Sequence, residues 1–234
     1  MRISKMILAT FISRIRAWNK LRRAKVPLQS FFQEAKGVIH VGAHFGEEIL
    51  TYAQHGLNVL WIEANPLLMP RLMLNMRGFI KQRALLALVG ADARIERNFF
   101  ISNNDGASSS VYTIEEHEVI WPEVKMTNPI SLEQKTLPQV LRDESISAED
   151  YDILVLDVQG AELDVLKGIP NLRRQFSRIE LEAADFPAYS GCAVRSQIAD
   201  YLKAEGYRET EAKCFATGEG GRNYFTCRYF RDDL

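Results

Sequence analysis

The chain has 234 residues, and its 29 Lys and Arg against 30 Asp and Glu give a formal net charge of -1. Hydrophobic residues make up 47% of the sequence and charged residues 25%, which are ordinary proportions for a globular protein. This composition excludes a disordered chain, a collagen-like chain and a small disulfide-rich scaffold. The length is that of one α/β domain with a small additional segment.

The cysteines indicate a reducing compartment. Cys192, Cys214 and Cys227 are odd in number, and no two of them have Cys-x-x-Cys spacing. This pattern argues against a disulfide framework and against a zinc site. The longest apolar run near the start, residues 6–12, is too short to span a bilayer. We therefore expect a cytoplasmic protein.

Residues 1–33 form a basic segment with eight Lys or Arg and no acid before Glu34. The rest of the chain then holds 21 basic against 30 acidic residues, a net charge of -9. Apolar side chains recur in this segment every three or four positions, the spacing of one helix face: Ile3, Ile7, Phe11, Ile15, Trp18 and Leu21. We favour a helix that packs on its own domain or on a second subunit. The alternative is peripheral contact of residues 1–25 with the inner face of an anionic membrane.

After residue 34, short apolar and β-branched runs alternate with helical stretches. Asn65 and Pro66 supply an N-cap and a first-turn proline for one of the helices. The predicted elements of this half are strand 37–41, helix 47–55, strand 58–62, a helix from 65 to about 76, and strand 84–89.

Residues 91–136 interrupt this alternation. They hold one predicted strand at 99–101, followed by the loop-like residues 102–110. Because a long stretch without clear elements is usually a functional loop or lid, we expect a loop-rich insertion here. The alternation returns with strand 151–157, helix 161–167, strand 178–182, helix 195–205, and two runs, 207–215 and 223–230, that are predicted to pair as a hairpin.

This order of elements predicts an α/β fold for residues 34–234. Strands that alternate with helices form a parallel sheet with right-handed crossovers and helices on both faces. Seven strands, the last two of them an antiparallel hairpin, match a nucleotide-binding sheet. Ligands of such sheets bind at the carboxyl ends of the strands, near the point where the strand order reverses.

A glycine turn and an acidic residue indicate the ligand. Gly42 and Gly46 lie between the first strand and the first helix, and Glu63 ends the second strand. A carboxylate at that position can accept hydrogen bonds from both ribose hydroxyls of a nucleoside. The middle glycine of a dinucleotide fingerprint is absent, since His44 and Phe45 occupy the turn. A donor without phosphates, S-adenosylmethionine (SAM), therefore suits the turn better than NAD.

Four segments of the chain resemble the FkbM family of methyltransferases. They are Val-Ile-His-Val-Gly-Ala-His-Phe-Gly-Glu-Glu at 38–48, Trp-Ile-Glu-Ala-Asn-Pro at 61–66, Gly-Ala-Ser-Ser-Ser at 106–110, and Asp-Val-Gln-Gly-Ala-Glu-Leu at 157–163 with Val-Leu-Lys-Gly at 165–168. The resemblance covers about residues 36–210 in the order of the family. It implies a Rossmann-like class I methyltransferase fold, SAM as donor, and O-methylation of hydroxyls on sugars or polyketide-type products.

The resemblance also implies roles for single residues. Glu63 corresponds to the ribose-binding acid, Asn65 to its neighbour on the adenine side, and Ser109 to the centre of a serine cluster that closes over the donor or positions the acceptor. Asp157, which we also count among the donor-binding residues, and Glu162 correspond to the acids closest to the transferred methyl group. The residues implied to surround the methionine part of SAM are Gly42, Ala43, His44 and Gly46. Two segments depart from the family pattern, 183–191 and 223–225, and both are expected at the acceptor site.

Methyl transfer to a hydroxyl needs a base that takes its proton during attack. The candidate catalytic residues are Asp157, Glu182, Asp185 and His117. Asp157 and Glu182 are predicted at strand ends facing the ligand crevice, and His117 has the best-matched ordinary pKa. Each also has a structural interpretation, because a strand-end carboxylate often caps the next helix. The three acids could bind magnesium, but scattered carboxylates are weak evidence, so we assign no metal ligand.

The predicted function is a SAM-dependent O-methyltransferase acting on a hydroxyl of a sugar, glycan or related metabolite. Four aromatic residues could form the wall of an acceptor site or simply pack: Phe99, Phe100, Tyr112 and Trp121. The acidic body of the chain argues against nucleic acid. If the basic segment contacts a membrane, a lipid-linked sugar becomes the expected acceptor. The alternative functions are an NAD-dependent oxidoreductase that uses the same turn and a non-catalytic nucleoside-binding module. The sequence does not define the oligomeric state.

Overall fold

The computed structural model of the protein describes residues 31–231, which contain ten strands and six α-helices. The strands are β1 Gly37–Val41, β2 Asn58–Glu63, β3 Gln82–Leu86, β4 Leu88–Val89, β5 Ile95–Phe99, β6 Ile130–Lys135, β7 Ile153–Leu156, β8 Arg178–Ala184, β9 Tyr207–Thr217 and β10 Asn223–Arg231. The helices are α1 Ile49–Gln54, α2 Met69–Asn75, α3 Leu137–Asp143, α4 Glu162–Lys167, α5 Leu172–Gln175 and α6 Arg195–Ala204. The predicted N-terminal helix and its membrane contact, on residues 1–25, lie outside the described residues.

Seven strands form the main sheet in the order β3-β2-β1-β7-β8-β10-β9. The first five of these run parallel, and β10 is antiparallel to both β8 and β9. This confirms the predicted mostly parallel sheet with an antiparallel C-terminal hairpin. The strand order reverses between β1 and β7, so a ligand crevice is expected where the carboxyl ends of these two strands meet.

Helices cover both faces of the sheet. On one face, apolar side chains such as Ile39, Leu154 and Leu181 form a core cluster with residues of α3, α4, α5 and α6. Each such fully buried side chain stabilises the fold by about 1.5–3 kcal/mol. On the other face, the Trp61 ring lies against Tyr52 of α1, with ring centroids 5.3 Å apart. Within the described range, no helix is long and apolar enough to cross a membrane.

The insertion contains more regular structure than the sequence predicts. The predicted strand 84–89 is two strands, because the chain leaves the main sheet after β3 and enters a three-stranded sheet of order β4-β6-β5. The strand predicted at 99–101 ends at Phe99 as β5, and neither β6 nor α3 was predicted. In the six-residue β6, Ile130 and Leu132 alternate with Ser131 and Glu133, but the pattern ends there. For α3 a signal was present, since Thr136 and Gln139 form a capping box with a proline in the first turn.

One predicted helix begins later than its sequence suggests. Asn65 and Pro66 come before a turn, and α2 begins only at Met69. The Asn65 side chain explains this delay, because its Oδ1 accepts a hydrogen bond from the Leu67 amide at 3.0 Å. Such a bond from an asparagine to the second amide after it forms a turn that precedes the helix.

Candidate active site

The turn after β1 lies directly against the loop after β7. Gly42 has φ +87°, and a Cβ built on it would lie 1.8 Å from the Asp157 carbonyl oxygen. The amides of Gly42 and Ala43 both donate to the Ile62 carbonyl, at 2.9 and 3.1 Å. Only glycine fits such an approach in this backbone conformation. The turn therefore joins the carboxyl ends of β1, β2 and β7 at the point where the strand order reverses.

Glu63 is a buried carboxylate at the end of β2. Its Oε2 accepts a hydrogen bond from the His44 amide at 2.7 Å, and its Oε1 accepts one from the Asn65 amide at 2.8 Å. Burial raises the pKa of Glu63, and the two amides only partly oppose that effect. Because each carboxylate oxygen has two lone pairs, one acceptor position on each remains for a ligand. This arrangement suits a pair of neighbouring hydroxyls.

His44 connects the glycine turn to the insertion. Its Nδ1 lies 2.8 Å from Glu47 Oε1, and its Nε2 lies 3.1 Å from the Asp105 carbonyl oxygen. Burial alone would lower the pKa of His44, but the hydrogen bond and charge of Glu47, the Asp105 carbonyl and the charge of Glu63 together raise that pKa. Both ring nitrogens face acceptors, so the protonated imidazolium satisfies both contacts. His44 itself has φ +46°, an uncommon conformation for a side chain other than glycine.

The serine cluster of the insertion is buried and internally bonded. Ser109 Oγ accepts from the Ser102 amide at 3.0 Å, and Ser102 Oγ accepts from the Ser108 amide at 3.0 Å. Ser110 Oγ donates to the Gln159 carbonyl at 2.7 Å, which fixes this loop to the loop after β7. The serine hydroxyls thus shape the loop, and a contact of Ser109 with the donor stays a prediction.

A glutamine that the sequence analysis did not single out orients Asp157. Gln159 Nε2 donates to Asp157 Oδ1 at 2.6 Å, and Gln159 Oε1 accepts from the Tyr189 hydroxyl at 2.7 Å. Gln159 has φ +52°, so the loop holds it in the left-handed region. The half-buried Asp157 carboxylate is therefore held in one orientation at the end of β7.

Glu162 shapes the same loop from within. It is buried, and its carboxyl oxygens accept from the Val158 amide at 3.2 Å and from the Gly160 amide at 3.1 Å. Burial raises the pKa of Glu162 to about 8, and the nearby charge of Asp157 adds to this shift. Glu162 thus holds a proton at neutral pH.

His117 lies in a buried aromatic cluster. Its Nδ1 is 2.7 Å from the Tyr224 hydroxyl, and its Nε2 is 3.2 Å from Ser108 Oγ. Its ring centroid lies 4.8 Å from that of Trp121 and 5.1 Å from that of Tyr189. Burial lowers the pKa of His117 to about 4, so the ring is neutral. Because protein groups occupy both nitrogens, His117 could act on an acceptor only through Tyr224 or Ser108.

The structure places Glu182 differently from the prediction, whereas Asp185 lies in the loop after β8, as predicted. The strand β8 continues to Ala184, so Glu182 lies within the strand, opposite Thr226 of β10, and not at its end as predicted. Asp185 is exposed, and its two oxygens accept from the Asn223 amide and side-chain Nδ2 at 2.8 and 3.0 Å. These contacts of Asp185 fix the start of β10.

The four aromatic residues that could form the wall of an acceptor site or simply pack do not all belong to one cluster. Tyr112 and Trp121 pack on a cluster that also contains Phe186, Tyr189 and Tyr224. The other two residues are not part of this cluster. Phe99 is buried at the end of β5, and Phe100 pairs with Ser110.

A comparison with protein families identifies the chain. The family model described as "Methyltransferase FkbM domain" matches residues 40–209. This protein belongs to the FkbM methyltransferase family. It is a SAM-dependent methyltransferase with a class I fold, as its sheet order also indicates. The match favours this activity over the NAD-dependent oxidoreductase and the non-catalytic module.

Solved structures of other methyltransferases resemble this FkbM methyltransferase at low identity. The precorrin-6y C5,15-methyltransferase of Geobacter metallireducens is 12% identical, with a TM-score of 0.48 over 86% of this chain and 84% of that chain. The TehB-like SAM-dependent methyltransferase of Corynebacterium glutamicum is 12% identical, with a TM-score of 0.43 over 95% and 98%. The magnesium protoporphyrin IX methyltransferase of Synechocystis with bound SAM is 12% identical, with a TM-score of 0.41 over 97% and 79%. A comparison with curated proteins found no match.

The residues around Glu63 fit SAM, the donor of this FkbM methyltransferase. Gly42 leaves no room for a side chain where the turn meets Asp157, and the buried Glu63 keeps one acceptor position on each oxygen. Gly106 of the insertion approaches Asn65 closely, since a Cβ built on it would lie 2.9 Å from Asn65 Nδ2. Among residues 31–231, no group of three or more His, Cys, Asp or Glu is arranged to hold a metal ion.

Proposed function

We propose that this FkbM methyltransferase transfers a methyl group from SAM to a hydroxyl of a sugar, glycan or related metabolite. The observation that carries the proposal is the placement of Asp157 between two sets of groups. On one side, the Asp157 carbonyl meets Gly42 of the glycine turn, and the His44 amide of the same turn donates to Glu63. On the other side, Asp157 Oδ1 accepts a hydrogen bond from Gln159 Nε2, and Gln159 Oε1 accepts one from the Tyr189 hydroxyl. Asp157 therefore borders both the donor site and a hydroxyl-rich aromatic cluster.

The donor site is assigned to the residues of the β1 and β2 ends. The Glu63 carboxylate is assigned to accept hydrogen bonds from the two ribose hydroxyls, and Asn65 is assigned to the adenine side. The methionine part is assigned to the glycine turn: Gly42, Ala43, His44 and Gly46. When bound, SAM supplies an electrophilic methyl group, and the chain's own task is to hold the acceptor oxygen in line with it.

Asp157 is the base that we favour for the acceptor hydroxyl. A hydroxyl is a poor nucleophile until a base accepts its proton, and a positioned carboxylate supplies about 10² to 10⁴ in rate. The hydrogen bond from Gln159 Nε2 to Asp157 Oδ1 orients the carboxylate that we assign to accept the proton. Glu182, Asp185 and His117 are the other predicted bases, and their contacts support this role less well.

The acceptor class is inferred from the chemistry of the neighbouring cluster. It combines the rings of Trp121, Tyr189 and Tyr224 with their polar atoms and with His117. Tyr112 and Trp121 are half-buried, whereas Tyr189, Tyr224 and His117 are buried beneath the surface of the domain. The accessible ring area of Tyr112 and Trp121 suits the apolar C–H face of a polyol. The acidic body of the chain argues against phosphate-rich acceptors.

The test is methyl transfer from radiolabelled SAM to a panel of acceptors. The panel contains free sugars, glycosides, lipid-linked sugars, amines and thiols, and the product is located by NMR. We expect an O-methyl ether on a sugar or glycan hydroxyl. Transfer to nitrogen, carbon or sulfur would overturn the proposal, and so would acceptance of amines in preference to every polyol.

A further inference from the structure

The outer side of α2 and the turn after it expose large apolar side chains. Leu67 is 71% exposed, Met73 62%, Leu74 65% and Ile80 98%. Single exposed apolar residues are common on proteins, but several within 14 residues of chain form a patch that needs an explanation. We call these four residues, together with Arg77, the α2 surface.

Helical spacing relates Met73 and Leu74 of the α2 surface to Arg77 in the turn that follows the helix. Met73 and Arg77 are four residues apart and Leu74 and Arg77 three apart, and the Arg77 amide donates to the Leu74 carbonyl at 3.2 Å. Leu72 is fully buried and points toward the sheet. The helix thus has apolar residues on its core side and on its solvent side, whereas an ordinary surface helix is polar on the latter.

The α2 surface is also locally basic. Residues 64–91 contain four Lys or Arg and no Asp or Glu. Arg83 forms an ion pair with Glu144 and Arg71 lies over the Phe45 ring, so Arg77 and Lys81 carry the basic character of the α2 surface. Residues 34–234 hold 21 basic and 30 acidic residues, so without this stretch 17 basic residues face 30 acids. Arg77 and Lys81 are exposed beside Ile80. The α2 surface is therefore a basic, apolar island on an acidic domain.

We propose that the α2 surface docks this protein on an anionic lipid bilayer. Apolar side chains enter the boundary between headgroups and acyl chains, while neighbouring Lys and Arg are attracted to anionic headgroups. A second copy of the chain fits less well, because a symmetric dimer through this surface would place its cations against the same cations. The α2 surface is formed by residues 67–80, which are other residues than those of the membrane contact predicted from the sequence for residues 1–25.

The α2 surface begins next to the proposed donor site. The Leu67 amide donates to Asn65 Oδ1 at 3.0 Å, and the Asn65 amide donates to Glu63. Leu68, next to Leu67 in the chain, contacts the insertion, because its side chain would lie 3.3 Å from a Cβ built on Gly106. Docking through Leu67 would thus bring the donor-site edge of the domain to the lipid surface.

The test is co-sedimentation of the full-length chain with vesicles of phosphatidylcholine alone and of phosphatidylcholine mixed with phosphatidylglycerol. We expect wild type to bind only the anionic vesicles, and Arg77→Glu to weaken that binding about tenfold or more. Ile80→Gln, which leaves the charge unchanged, should also weaken it. The control is Lys203→Glu, an equal change of charge at an exposed position on α6, for which we expect binding within about twofold of wild type.

Each other outcome overturns the proposal. If wild type does not bind, there is no docking surface. If both variants at the α2 surface bind like wild type, residues 1–33 alone carry the contact. If Arg77→Glu and Lys203→Glu weaken binding equally, only net charge matters. If Ile80→Gln changes the sedimentation coefficient without vesicles and leaves vesicle binding intact, the surface joins two copies of the chain. Circular dichroism and SAM binding of each variant verify that it folds.

Discussion

The main chain of Gly42 touches the carbonyl group of Asp157, and no side chain fits between them. Gly42→Ala should therefore destabilise the fold and abolish SAM binding. Gly56→Ala is the matched control, because Gly56 also has a positive φ but has no atom within 4 Å of a built Cβ. We expect the control to lose about 1–2 kcal/mol of unfolding free energy from backbone strain alone. Urea denaturation measures both, and equal losses would contradict the steric argument.

Glu63→Ala should weaken SAM binding about tenfold or more, a loss of about 1.4 kcal/mol. The reason is that two ribose hydroxyls lose their acceptor. Asp185→Asn, at a carboxylate whose oxygens bind Asn223, is the control and should bind SAM normally. Calorimetric titration measures both affinities.

The same carboxylate predicts a pH dependence of donor binding. Because burial raises the pKa of Glu63, the carboxylate becomes protonated at a higher pH than an ordinary glutamate does. Wild-type affinity for SAM should therefore fall as the pH falls through that raised pKa, while Glu63→Ala should show no such fall. Parallel pH profiles of the two proteins would refute the assignment of Glu63.

Asp157→Asn should lower kcat by about 10² or more if Asp157 is the base. Glu182→Gln is the matched comparison, since Glu182 lies inside β8 opposite Thr226. We expect it to lower kcat by less than about tenfold. Steady-state rates at saturating SAM separate the two, and a larger loss for Glu182→Gln would transfer the role to that residue.

Glu162→Gln should alter how stability depends on pH. The folded-state pKa of Glu162 is about 8, above its unfolded value, so its contribution is fully present below the unfolded pKa and is lost as the pH rises through 8. Glutamine imitates the protonated acid and does not titrate. As the pH rises from about 5 to about 9, the variant should therefore become more stable relative to wild type, and thermal melting at each pH measures this difference. A constant difference in Tm would mean that Glu162 does not titrate there.

The sequence predicts the parts of this fold whose signals are local. The strands β1, β2 and β7 are nearly continuous apolar runs bounded by glycine or a charged residue, as expected for strands buried on both faces. The strand β8 was predicted although Glu180 and Glu182 alternate with its apolar residues. The β6 strand was missed because its alternation of Ile130 and Leu132 with Ser131 and Glu133 ends after four residues, at the polar Gln134 and Lys135. The chain's departure from the main sheet after β3 was missed because the apolar run continues unbroken across it.

The candidate site follows the same division. Gly42 and Glu63 could be predicted because each has a local signal in the sequence. Gly42 directly follows a strand, and Glu63 directly ends one. The bond from Tyr189 to Gln159 joins residues 30 positions apart, and that between His117 and Tyr224 joins residues 107 positions apart. No spacing in one sequence indicates such pairs, since only the folded sheet brings the hairpin and the insertion together.

His44 has a consequence for the order in which substrates bind. Its amide holds Glu63, while its ring reaches the Asp105 carbonyl of the insertion. A donor that binds Glu63 therefore lies next to His44, which also binds the insertion through Asp105. The insertion in turn borders the acceptor cluster. We expect a sequential ordered reaction, with SAM entering first and S-adenosylhomocysteine leaving last. In initial-rate experiments, S-adenosylhomocysteine should then compete with SAM and inhibit noncompetitively against the acceptor, whereas His44→Ala should shift the reaction toward random addition.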